Sequence, residues 1–274
     1  MQDGDDNTRL RKVRRLFRLD TFSEETQRRE LEIHRQSLSS DEELNVDYLQ
    51  QMRGRGLELF KNHLDYQQWY KSRQQMLIIY GCNNESVSDS DHCWMSPLAL
   101  SMIENLSQEK EMHAYSVLPQ AGRLIYDVFP AILLQLLRRK VSAMRDEDRF
   151  NELCSELEAL QEFENRGPKL ETYEIDKLEA LHRVGLRVID FFNENDSIYI
   201  IVDRVDRCRD FKTIDHRKLL LECLRRLADG AKCGLKILVV VDKRGWPKNY
   251  EENIRREVKS GKVVIHTAEQ KLQS

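Results

Sequence analysis

The stretch Met76-Leu77-Ile78-Ile79-Tyr80, closed by Gly81, limits what this chain can fold into more than any other. A run of strand length with no polar alternation suits a strand covered on both faces, as in the middle of a parallel sheet. Parallel neighbours cannot be joined by a hairpin, so helical crossovers must lie between them. The rest of the chain meets that demand. Residues 197–202 (SIYIIV) and 235–241 (LKILVVV) are two more such runs, with weaker candidates at 114–118 and 262–266. Between them, apolar residues recur at helical spacing, which predicts helices over about 98–106, 121–141, 145–163, 174–193, 215–229 and 250–259. Gly167 and Pro168 mark a break, and Gly230 reads as the left-handed C′ residue that closes the 215–229 helix. The expected fold class is α/β, a three-layer, mainly parallel sheet with helices on both faces and a helical N-terminal extension.

Residues 1–44 form that extension in this reading, and residues 45–274 the α/β domain. Arg9, Arg11, Lys12, Arg14, Arg15 and Arg18 crowd together, while Leu10, Val13, Leu16 and Phe17 fall near one helical face. The preferred reading is a solvated helix docked by its apolar face on its own domain, ahead of nucleic-acid, nuclear-import or acidic-lipid contact. A break is expected at 37–41, and then a helical pattern over 44–73 divided at Gly54 and Gly56. A net charge of −3 argues against a protein built to coat nucleic acid. Six cysteines without a C-x-x-C pair indicate a reducing compartment. No apolar run approaches the roughly 20 residues that span a bilayer, so a cytosolic or nuclear protein is the default, with a cytoplasmic location expected.

Strand, glycine loop and helix follow one another from Met76 to Leu106, with Ser96 and Pro97 as a helix start. Phosphate-binding loops present backbone amides and a helix N-terminus in that order. Counting the Walker A spacing from Gly81 puts Ser86 at the second glycine, Val87 at the lysine and Ser88 at the Ser/Thr position. Further along, Asp203 and Asp206 follow the 197–202 strand.

Four segments taken together resemble the nucleotide-binding domain of the NACHT/STAND class of P-loop NTPases, and most of all the fungal nephrocystin 3-like N-terminal family. They are DYQQWYKSRQQMLIIYG at 65–81, AILLQLL at 131–137, IIVDRVDRC at 200–208 and LKILVVVDKRG at 235–245. The resemblance covers roughly residues 45–270. It implies a P-loop NTPase fold, a nucleotide site at Gly81, Ser86, Ser88, Asp203 and Asp206, and ATP or GTP with magnesium as the ancestral ligand. In the family pattern Asp203 stands at the magnesium-associated aspartate and Asp206 at the second acid. Arg207 occupies the place of the glutamate that orients water, and Asp242 or Lys243 falls near the sensor arginine.

The departures set the functional expectation. No lysine or arginine lies between Arg73 and Lys110, and Glu85, Asp89 and Asp91 stand in the loop. A polyanion would meet like charge there, and a lost charge-assisted contact costs on the order of 1.5–3 kcal/mol. Arg207 cannot accept a proton from water. A catalytically inactive module is expected, without cofactor, acting as a structural or signalling interaction domain through a protein partner or self-association. The alternative is a STAND-type regulator that binds ATP or GTP weakly and hydrolyses little or none. An unorthodox nucleotide site would need a cation brought in from elsewhere, with Lys243 and Arg244 the nearest candidates. The chain ends soon after its last predicted strand, so a fragment, a truncated paralogue or half of an assembly is expected rather than a complete switch.

Other candidate chemistry is weaker. Cys82, His92 and Cys93 lack a recognisable ligand spacing, so no metal is assigned to them. His113, His182 and His216 read as packing or surface residues, and Cys154, Cys208 and Cys223 as inert core thiols.

Overall fold

The computed structural model describes residues 2–40, 60–82, 92–166, 173–209, 215–246 and 255–269. Helices α1 (Gln2–Leu16), α2 (Glu24–Ser40) and α3 (Leu64–Lys71) precede strand β1 (Gln74–Cys82). Then come α4 (Ser96–Gln108), β2 (Met112–Val117), α5 (Ile125–Arg139), α6 (Glu147–Arg166) and α7 (Tyr173–Ile189). The chain continues through β3 (Ser197–Asp203), α8 (His216–Gly230), β4 (Gly234–Asp242), α9 (Arg255–Lys259) and β5 (Val263–Glu269). Short 3₁₀ turns occupy Val141–Arg145, Val205–Arg207 and Lys243–Gly245.

The five strands form one sheet in the order β2-β3-β4-β1-β5, parallel at every pairing. This is the three-layer, P-loop-like α/β architecture expected from the apolar runs. Side chains alternate across the pleat, so each strand feeds two cores. Met76, Ile78, Tyr80, Ile200, Val202, Ile237 and Val239 pack with α1, α5, α6, α7 and α8 on one face. Leu77, Ile79, Ile201, Leu238 and Val240 pack with α3 and α4 on the other. Every position of the central runs is therefore apolar because both faces are covered.

The N-terminal helices belong to these cores. Val13, Phe17 and Phe22 are buried in the first and Leu38 in the second. The basic face of α1 is engaged as well: Arg9 pairs with Asp5 and Glu147 and lies with Lys12 over the Phe150 ring. No helix among the described residues is long and apolar enough to cross a membrane.

Three local expectations are corrected. Helix α2 runs on to Ser40 through most of the break expected at 37–41, because Leu38 is buried in the second core and holds that turn in place. Gly230 is the last residue of α8 and does not adopt a left-handed conformation. Its lack of a side chain serves packing, since a Cβ there would lie 2.5 Å from Leu186 Cδ2 on α7. Gly81 does not open the loop; it sits inside β1, paired with Asp242 and Ala268. The helices expected around Gly54 and Gly56, the break at Gly167 and Pro168, and the acidic loop residues Glu85, Asp89 and Asp91 lie outside the described residues.

Candidate functional site

Parallel sheets place ligand chemistry at the carboxyl ends of their strands, and the sequence candidates converge there. One strand, β4, separates β1 from β3, so Gly81, Asp203 and Asp242 end neighbouring strands on the same edge. Asp203 is fully buried at the end of β3. Its Oδ1 accepts a hydrogen bond from Ser96 Oγ at 3.0 Å, and its Oδ2 lies 2.9 Å from His34 Nε2. A carboxylate can only accept, so that imidazole nitrogen carries the proton. Both oxygens of Asp203 are thus held by the chain itself, one from the start of α4 and one from α2.

Beside this cluster lies a buried cation that the sequence reading did not single out. Arg204 has a left-handed backbone, φ 64° and ψ 48°, which a side-chain-bearing residue adopts at a cost. Its amide donates to Val240 O at 2.9 Å, and the amide of Arg207 donates to Arg204 O at 2.9 Å. This turn folds the guanidinium back over Asp206, to which Nε donates at 3.1 Å and a terminal nitrogen at 2.8 Å. Asp242 Oδ2 lies 3.6 Å from the same guanidinium. Asp206 also accepts from the Asp242 amide at 2.9 Å, which ties β3 to β4. Burial opposes the charge on Arg204, but the carboxylates of Asp206 and Asp242 outweigh it and raise the pKa. Arg244, one of the cations considered for an unorthodox nucleotide site, donates to Asp242 at 2.8 Å. Lys243, the other, is exposed.

Above Gly81 the space is filled by sulfur. A Cβ at residue 81 would lie 2.4 Å from Cys93 Sγ and 3.2 Å from Met95 Cγ, so the glycine is required by close approach. Cys93 is fully buried, and desolvation pushes its thiol well above the ordinary range, which makes it neutral. Cys223, on α8, is likewise buried and pushed up to about 12 by desolvation. Cys154 and Cys208 are buried too, as are His113, His182 and His216.

Of the five residues expected at a nucleotide site, Gly81, Asp203 and Asp206 meet at this edge. Ser86 and Ser88 lie outside the described residues. The hydroxyl that reaches Asp203 belongs to Ser96, eight residues beyond the position given by the Walker A count. The signal for Ser96 was present in its place before Pro97 at a helix start. His34 and Arg204 had no comparable signal, since their roles depend on the docking of α2 and on one left-handed residue.

A cavity of about 310 Å³ opens on the β2 side of Asp203. It is lined by Ile33, His34, His92, Val117, Arg123 and Arg207, among others. Arg123 pairs there with Glu30, and Ser37 Oγ lies 2.8 Å from His92 Nε2.

No protein-family model matches the chain, and no curated protein matches it either.

Proposed function

We propose that this chain is a catalytically inactive, NACHT/STAND-type relative of the P-loop NTPases, acting as a structural or signalling interaction module. One observation carries the reading. The Ser96–Asp203 hydrogen bond supports aligning the motif on Ser96, because in a working site the Ser/Thr hydroxyl and the strand-end aspartate share a magnesium ion. Counting back from that serine puts Met95 at the lysine position and Trp94 at the second glycine. Met95 is a buried thioether, with no charge to offer a β- or γ-phosphate. The Arg204–Asp206–Asp242 cluster supports the same reading, since the cation next to the site is already neutralised by the chain.

The weak-binding alternative draws on the cavity beside Asp203, where Arg123 and Arg207 line a space open to a small ligand. Titration of the purified chain with a fluorescent ATP or GTP analogue, with magnesium, separates the two. The inactive reading expects no saturable binding into the millimolar range and no phosphate release. Micromolar binding that is lost in Asp203→Ala overturns it.

A further inference from the structure

At the β5 edge of the sheet, on the face covered by α3, three metal-ligating side chains converge. His63 immediately precedes α3, Asp65 lies in that helix's first turn, and His266 is on the edge strand β5. His266 Nδ1 lies 2.8 Å from Asp65 Oδ2, and His63 Nδ1 lies 3.4 Å from the same oxygen. The two imidazole rings approach to 4.3 Å between centroids. One ligand atom from each residue falls within 4.8 Å of the others.

We infer that His63, Asp65 and His266 bind one divalent transition-metal ion of the zinc type, leaving the fourth position open to water. Two imidazoles and one carboxylate are the borderline nitrogen and oxygen donors that such ions prefer. Bonds of 2.0–2.1 Å at tetrahedral angles put ligand atoms about 3.3 Å apart. The two separations to Asp65 bracket that value, so small rotations of the histidines complete the site. His63 also accepts a hydrogen bond from the Asp65 amide at 3.2 Å, and the ion would compete for that nitrogen or use the other one. Phe60 packs edge-on against His266 at 5.3 Å and walls off one side. His63 is half exposed, which leaves the opposite side open to solvent.

The ion would join residues 201 positions apart in the chain and fasten β5, which among the described residues pairs only with β1, to helix α3. Metal binding would therefore stabilise an edge strand whose other side has no described neighbour.

The test uses the full chain, stripped with a chelator and titrated with zinc by calorimetry and with cobalt(II) by visible absorption. One equivalent is expected to bind, with the intense d–d bands of a tetrahedral cobalt centre and a rise in Tm. His266→Asn and Asp65→Asn should each weaken binding at least roughly tenfold. His63→Asn, which keeps a side-chain acceptor at the start of α3, should do the same while its metal-free melting stays near that of the parent. No saturable binding to the parent chain overturns the inference. So does binding of equal affinity and spectrum in all three variants, which would assign the ion to other donors such as Cys82.

Discussion

Arg204 carries two costs at once, a left-handed backbone and a guanidinium withdrawn from water. Both are sustained because Asp206 and Asp242 are withdrawn with it, so each charge is the other's solvent. Removing only the cation leaves two carboxylates facing each other in a buried space. Arg204→Met is therefore expected to destabilise the fold by about 3–5 kcal/mol in urea denaturation, the range for breaking a buried pair from one side. Arg204→Lys should recover only part of this, because an ammonium cannot donate in the forked geometry that Nε and the terminal nitrogen supply. A loss below about 1 kcal/mol for the methionine variant would mean the cluster is solvated, as for a surface pair. Asp203 and Asp206 were legible from their places after an apolar strand. The Arg204 partner of Asp206 was not, since a left-handed residue inside D-R-V-D has no pattern in composition or spacing.

At the scale of elements, the junction between β1 and α4 decides what the strand-end edge can hold. In a phosphate loop the glycines keep the backbone open for the anion. Here the room above Gly81 is taken by Cys93 and Met95, so glycine admits the chain's own sulfur. Gly81→Ala should cost about 1–3 kcal/mol by overpacking, although alanine is otherwise tolerated in an extended segment. Cys93→Ala should cost less, as the loss of one small buried group. The double variant should be more stable than the sum of the two predicts, by about 0.5–3 kcal/mol, because removing the thiol makes space for the added methyl. Additive losses in a denaturation cycle would refute the close approach. The helix after Ser96 and the strand before Gly81 were both readable from apolar spacing. The meeting of Ser96 with Asp203 was not, because it depends on how α4 seats against the end of β3.

For the whole molecule, the N-terminal helices matter most. The sequence reading set residues 1–44 apart as an extension whose first helix docks by its apolar face on the domain; Val13, Phe17 and Phe22 do complete the core beneath α5 and α6, and His34 completes the Asp203 cluster. Phe17→Ala should cost about 3–5 kcal/mol and leave one cooperative unfolding transition. A separate early transition confined to α1 and α2 would instead mark an independent subunit of structure. The sequence by itself determined the layers: a doubly buried strand needs an unbroken apolar run, and those runs with helical spacing between them impose a parallel sheet covered on both faces. Only the tertiary structure decided which charges meet. Strand order, the docking of α2 and the turn at Arg204 bring together residues far apart in the chain, such as His34 and Asp203, 169 positions from one another. Ion pairs and hydrogen bonds act over a few ångströms in space, and local pattern along a chain holds no measure of that distance.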